Sequence, residues 1–250
     1  MARALSKPSR ASSALRSVFA DTLDAKTGQP SIHGRCDDDY DDCIGAKSMS
    51  ESANVACSEL QTATMADLLI AGLDVAFVSI NPAIYSVLRG HYFARRSNKF
   101  WPCISRSNLT MRARRGLGVE TLEPENDREL LLYGIGFTDL VKRATARAAD
   151  LAPRELAAGV DTLLEKIDRH RPRVACFHGV TGYRYVHREL VGDSADLALG
   201  LQDVCLGSTR VFVVPNPSGA NAHFTRAEQT GWYDNLSTFL ETKQHRPRQD

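Results

Sequence analysis

Residues 75–80 read Val-Ala-Phe-Val-Ser-Ile, and Asn81-Pro82 follow at once. A continuous run of β-branched and aromatic residues closed by a turn signal is what a strand buried on both faces requires, and such strands belong to parallel sheets. Proline supplies no N–H to a ladder and pushes the preceding residue to extended geometry, so the strand stops there. Asn81 is thereby placed at the carboxyl end of a core strand, where open α/β sheets put their ligands. Val174–His178 and Arg210–Pro215 read as further core strands. Leu156, Val160, Leu163, Leu164 and Ile167 fall at helical spacing over Pro153–His170, with Pro153 tolerated in a first turn. Helices are also expected over Thr64–Ala71, after Asn98 with Phe100, Trp101 and Ile104 inward, over Glu125–Tyr133 up to Gly134, over Gly179–Leu190 and over Thr225–Leu240. Strands alternating with helices predict a three-layer α/β/α sandwich around a central, mainly parallel sheet.

The segment after that first strand carries Arg89, Arg95, Arg96, Lys99, Arg106, Arg112, Arg114 and Arg115 with no Asp or Glu among them. Tyr85, His91, Tyr92, Phe93, Phe100 and Trp101 are interleaved. Cations mixed with aromatics suit a surface that grips phosphates and stacks on bases. A solvated loop over a few buried rings has the same composition, so this pattern alone leaves both readings open.

The formal net charge is +1, so any basic face must be local. No apolar run approaches the length of a membrane span. Residues 1–60 do not read as globular. The first twenty hold Arg3, Lys7, Arg10 and Arg16 and no acid, a composition shared by transit peptides and by disordered basic tails. A dense acidic run, Asp37–Asp42, follows and can compete with DNA for a basic face. The globular domain is expected over 61–243, with 244–250 as a short tail. The six cysteines form no C-x-x-C pair and no structural zinc spacing. Neither a metal nor an organic cofactor is expected. Cys176, inside an apolar run, reads as a reduced buried thiol.

The resemblance to a known family is carried by three segments. Ser79-Ile80-Asn81-Pro82-Ala83, then Gly90-His91-Tyr92-Phe93-Ala94 and Asn98-Lys99-Phe100-Trp101, resemble the G-I-N-P-G and N-x-F-W region of the mismatch-specific thymine/uracil DNA glycosylases. Gly134–Val141 resembles that family's G-x-T-x-L-V segment. Pro215-Asn216-Pro217-Ser218-Gly219-Ala220-Asn221 resembles its N-P-S loop. Together they span roughly residues 66–240, in the family's order.

The resemblance implies an uncofactored DNA glycosylase that flips a base from mismatched duplex and removes it with water. Asn81 would orient the water; an amide both donates and accepts but is a poor base. Phe93 would stack on the flipped base. Backbone N–H groups near Ile80 and Tyr85, the Ser86 hydroxyl and the Asp139 carboxylate are base-binding candidates, Asp139 being able instead to face Lys142 or Arg143. Asn216, Pro217, Ser218, Gly219, Ala220, Asn221, Arg95 and Arg96 are candidate DNA contacts. Without the resemblance, Asn81 reads first as a turn residue before proline.

Four positions depart from the pattern: Ser79 and Ala83 replace glycines, Asp139 stands where the family has an Asn- or Lys-like residue, and Ala220 is too small to wedge into the gap left by a base. Ala83 narrows the turn and disfavours thymine with its methyl. The expectation is a monofunctional enzyme acting chiefly on uracil in mismatched double-stranded DNA, working as a monomer. A non-catalytic mismatch-binding protein of the same fold is the alternative, and a hydrolase of free nucleosides is a weaker one. Nuclear, mitochondrial and cytoplasmic locations stay open.

Overall fold

The computed structural model describes residues 64–192 and 197–242. The expectations for residues 1–60, the acidic run, Cys36, Cys43, Cys57 and residues 244–250 lie outside the described residues. Five strands form one sheet: β1 (Val75–Ser79), β2 (Ile135–Asp139), β3 (Val174–His178), β4 (Gly200–Leu206) and β5 (Thr209–Val214), in the order β2-β1-β3-β5-β4. β1 runs parallel to both β2 and β3, and β3 runs parallel to β5. Only β4 is antiparallel, at the edge beside β5. The helices are α1 (Ile84–Arg89), α2 (Phe100–Ile104), α3 (Met111–Leu117), α4 (Pro153–His170), α5 (Val180–Val191) and α6 (Arg226–Thr242). Among the described residues, no helix is long and apolar enough to cross a membrane.

The strand pleat sorts side chains into two cores. Val75 and Phe77 of β1, Ile135 and Phe137 of β2, Val174 and Cys176 of β3, and Phe212 and Val214 of β5 pack on one face with Phe100 and Trp101 of α2 and Tyr233, Leu236 and Leu240 of α6. Val78, Ala175, Phe177, Val211 and Val213 face the other way, onto Leu156, Val160, Leu163 and Ile167 of α4 and Tyr183 and Val186 of α5. This alternation is the period of two that a strand imposes. Each fully buried large side chain contributes about 1.5–3 kcal/mol, so the two opposed cores hold the sheet between helix layers. The expected sandwich is the observed one.

Two local expectations are corrected. Residues 64–71 are not a helix: Leu68 and Phe137 exchange backbone hydrogen bonds of 2.9 Å, so the segment lies antiparallel along β2. Glu125–Tyr133 is not one α-helix but two 3₁₀ turns, Pro124–Asn126 and Glu129–Tyr133. Between them, Asp127 turns inward to accept from the Tyr92 N–H at 3.0 Å, which a continuous exposed helix would forbid. β4 has no counterpart in the apolar-run reading because one face of it is wet: Leu201, Asp203 and Cys205 are exposed.

Candidate active site

Because β1, β2, β3 and β5 are parallel, their carboxyl ends share one edge of the sheet. Ser79, Asp139, His178 and Val214 mark it. Asn81 lies two residues past the end of β1. Its amide Nδ2 donates to the Arg143 carbonyl at 2.9 Å and to Thr145 Oγ1 at 2.7 Å. The Thr145 hydroxyl donates onward to the Arg147 carbonyl at 2.8 Å. The guanidinium of Arg143 grips Glu155 at 2.7 and 2.9 Å, which ties this loop to α4. Both protons of the Asn81 amide are thus engaged, and among the described residues nothing donates to its Oδ1. That leaves a fixed acceptor at the sheet edge, the half of an amide that can orient a water proton.

Phe93 has φ +54°, a left-handed backbone that is uncommon for a bulky residue. It is held from both sides. Tyr92 N–H donates to Asp127 Oδ2 at 3.0 Å, the Tyr92 carbonyl accepts from Trp101 Nε1 at 2.8 Å, and Ala94 N–H donates to Ser86 Oγ at 3.2 Å. His91 Nδ1 meets the other oxygen of Asp127 at 3.1 Å. A surrounding that over-determines a strained residue is what lets such strain persist, and it clusters at functional sites. The half-buried ring of Phe93 stacks on Phe100 at 4.4 Å. His178 lies 5.1 Å from Phe93 and 5.4 Å from Phe100, nearly perpendicular to both. Being about equidistant from the two rings, it flanks the stack.

His178 ends β3 and is buried. Its Nε2 is 3.1 Å from the Tyr233 hydroxyl, and among the described residues its Nδ1 has no hydrogen-bond partner. Burial pushes its pKa down to about 3, so the ring is neutral at physiological pH. Nothing in the sequence marked this residue, because a histidine closing an apolar strand looks like any core residue. Thr145 also escaped the reading, as a threonine between alanines past the recognised segment.

Asp139 is fully enclosed, at 0% exposure. Its Oδ1 accepts from the Ser79 hydroxyl, and its Oδ2 accepts from Tyr92 Oη at 3.2 Å and Lys142 Nζ at 2.9 Å. The carboxylate therefore faces Lys142, one of the two partners that the sequence offered it besides a base. Burial works against the Lys142 ammonium, but the carboxylates of Asp139 and Asp67 outweigh it and raise its pKa. Ser86 is buried, and its hydroxyl supports the backbone beside Phe93. The Ile80 side chain packs into the second core, and its carbonyl accepts from Val141 N–H at 2.9 Å.

The loop after β5 meets the loop before α2. Asn216 Oδ1 accepts from Ser218 N–H at 2.9 Å, and Asn221 Nδ2 donates to the Asn216 carbonyl at 2.8 Å. Lys99 N–H donates to the Pro217 carbonyl at 2.8 Å. Its ammonium donates to the carbonyls of Asn221 at 2.6 Å and Phe224 at 2.9 Å. Lys99 is therefore a clasp between loops, not a cation presented outward. At Gly219 a Cβ would lie 2.7 Å from the Ser97 carbonyl oxygen, so only glycine allows this approach. Ala220 is exposed. Tyr85, Phe93, Arg95, Arg96 and Asn98 line one cleft of about 260 Å³ together with Glu123 and Glu125. Asn81 and the 216–221 loop are not part of that lining. Arg89 pairs with Glu125 at 3.1 Å, so the basic segment meets acids that the sequence places far from it. Among the described residues, no group of three or more His, Cys, Asp or Glu side chains could hold a metal ion.

A fixed acceptor, an aromatic ring and a neighbouring backbone loop on one sheet edge are parts for hydrolysis at a planar base. The model of the uracil DNA glycosylase superfamily matches residues 67–237; the chain belongs to that superfamily. Its activity is of the uracil-DNA-glycosylase type, the hydrolysis of a base–sugar bond in DNA. A solution NMR structure of a candidate uracil DNA glycosylase from Methanosarcina acetivorans superposes with a TM-score of 0.43 at 18% identity, covering 70% of this chain and 97% of that one.

Proposed function

We propose that the protein is a monofunctional glycosylase of the mismatch-specific branch, removing uracil from double-stranded DNA after flipping it from the helix. The observation that carries this reading is the anchoring of Asn81, whose amide nitrogen is held by Arg143 and Thr145 while Oδ1 stays available. In the proposed reaction Oδ1 accepts a hydrogen bond from the attacking water and aims its lone pair at the anomeric carbon. The C–N bond to the base breaks, the sugar carries positive charge in the transition state, and the base leaves with the electron pair; the water oxygen bonds to the anomeric carbon, and its displaced proton neutralises the departed base anion. Orientation of this kind, without strong base catalysis, suits a reaction whose barrier lies mainly in bond breaking.

Phe93 supplies the stacking face for the flipped base, worth about 1–3 kcal/mol by analogy with single-strand binders. Tyr85 and backbone N–H groups near Ile80 contact the base. Residues 216–221 together with Arg95 and Arg96 take the phosphates, working as a monomer on the duplex. A G·U pair lowers the cost of extrusion relative to a matched pair. Ala83 in the turn after Asn81 disfavours thymine. No lysine stands at the Asn81 position, so water and not an amine is the nucleophile.

The test is single-turnover base release from a duplex with one G·U pair, comparing the native chain with Asn81→Ala. Release by the native chain and a loss of about 10²-fold in the variant is the expected result. Equal rates would move the water-orienting role elsewhere. Salt-dependent duplex binding by both proteins with no release from either would replace the enzyme reading with that of a mismatch-binding protein.

A further inference from the structure

Two departures from the family pattern noted in the sequence, Ser79 and Asp139, turn out to be bonded to each other. Asp139 sits directly opposite Ser79 in the β1–β2 register. Ser79 lies two residues before Asn81, and its Oγ is also 3.5 Å from the Asn81 carbonyl. The other carboxylate oxygen holds the hydroxyl of Tyr92, the residue immediately before Phe93. The enclosed carboxylate is thus bonded to a neighbour of each proposed functional side chain.

We propose that Asp139 is a positioning residue that ties the strand end carrying Asn81 to the loop carrying Phe93, so that one carboxylate sets both the water-orienting amide and the stacking ring. This rests on the reading of Asn81 and Phe93 given above. The groups converging on Asp139 are all donors: the Ser79 hydroxyl, the Tyr92 hydroxyl and the Lys142 ammonium. A carboxylate accepts only, so it satisfies them together, whereas an amide would turn an N–H against one of them.

The charge is balanced locally. Lys142 also bonds Asp67 at 2.9 Å, and Asp67 takes Lys166 at 2.9 Å and the Thr138 hydroxyl at 2.7 Å. Asp139 itself is enclosed while Lys142, Asp67 and Lys166 are partly exposed, so removing Lys142 would leave the carboxylate without its counter-charge, which is costly. Tyr92 is held at several points: its N–H donates to Asp127, its carbonyl accepts from Trp101, and its hydroxyl lies 3.2 Å from both Asp139 Oδ2 and the Ala66 carbonyl. Movement of the β1 end is therefore transmitted through Ser79, Asp139 and Tyr92 to the residue whose left-handed backbone displays the stacking ring.

The test is a double-variant cycle on single-turnover uracil release from a G·U duplex. Ser79→Ala removes one link and Tyr92→Phe the other, each leaving the carboxylate and Lys142 in place. Each is expected to slow release about tenfold, the usual effect of one lost hydrogen bond. If Asp139 connects them, the double variant is no slower than the slower single one, since either cut severs the same path. Affinity for undamaged duplex stays that of the native chain throughout. Effects that multiply in the double variant overturn the proposal, as do rate losses that disappear when each variant is assayed at the same distance below its own melting temperature. Asp139→Asn supplies a further arm: a changed ratio of uracil to 5-substituted-uracil release would mean that the carboxylate touches the base, and would overturn the positioning role. Asn81→Ala is run alongside. A native chain without base release, or Asn81→Ala as fast as native, overturns the site reading and this proposal with it; multiplying effects in an active enzyme overturn this proposal alone.

Discussion

Asn81 Nδ2 lies 2.7 Å from Thr145 Oγ1, a bond that reaches from the end of β1 to the loop beyond β2. It fixes which end of the amide faces the sheet edge, because the nitrogen is consumed and the oxygen is left. Replacing Thr145 by valine keeps the shape and removes the acceptor. The amide can then turn over, and we expect single-turnover uracil release to slow about tenfold, the value of one hydrogen bond. Affinity for undamaged duplex should not change. A Thr145→Val variant as fast as native would show that the Arg143 carbonyl alone orients Asn81.

Phe93 combines a left-handed backbone with a ring stacked on Phe100. Leucine at this position keeps apolar bulk but offers no flat face to a base. Phe93→Leu should therefore slow release from a G·U duplex about tenfold or more while leaving binding of undamaged duplex unaltered, as checked by fluorescence anisotropy. Loss of affinity for undamaged duplex would instead mark Phe93 as a general support of the DNA-facing loops.

His178 predicts a stability profile. The folded-state pKa is about 3 against an ordinary value of 6.5, with burial as the cause. Above the ordinary value both states are neutral and the residue adds no pH dependence. Below it the unfolded chain binds a proton that the folded chain refuses, so stability falls as pH falls toward the folded value, by about 1.4 kcal/mol per pH unit. Between pH 6.5 and 5.0 this one residue should remove about 2 kcal/mol. Urea unfolding of His178→Leu should lack that component. An equal acid loss in both proteins would assign the dependence to other groups.

Lys99 and the Arg95–Arg96 pair should behave differently toward salt. The Lys99 ammonium faces the carbonyls of Asn221 and Phe224, so Lys99→Met loosens the loop and weakens binding without changing the slope of log affinity against log salt. Arg95→Gln and Arg96→Gln should each reduce that slope by about one, as loss of a phosphate contact does. A reduced slope for Lys99→Met would mean that the clasp opens onto DNA.

What the sequence determined by itself was the part of the protein governed by local pattern. The apolar run ending at Asn81-Pro82 specified a buried parallel strand and put Asn81 at its carboxyl end, since period and punctuation are properties of neighbouring residues. The helix over Pro153–His170 followed from its apolar spacing for the same reason. The three motif segments pointed to the superfamily on their residues alone. Tertiary structure decided what depends on residues distant in the chain. It brought Asp127 beneath Tyr92 and Glu125 against Arg89, turned Lys99 inward, and buried Asp139 among donors from β1, the Phe93 loop and the turn after β2. It also paired Leu68 with β2 where local propensity favoured a helix, and left His178 neutral. A side chain's charge and direction are fixed by what surrounds it, and for these residues the surroundings come from chain segments tens of positions away.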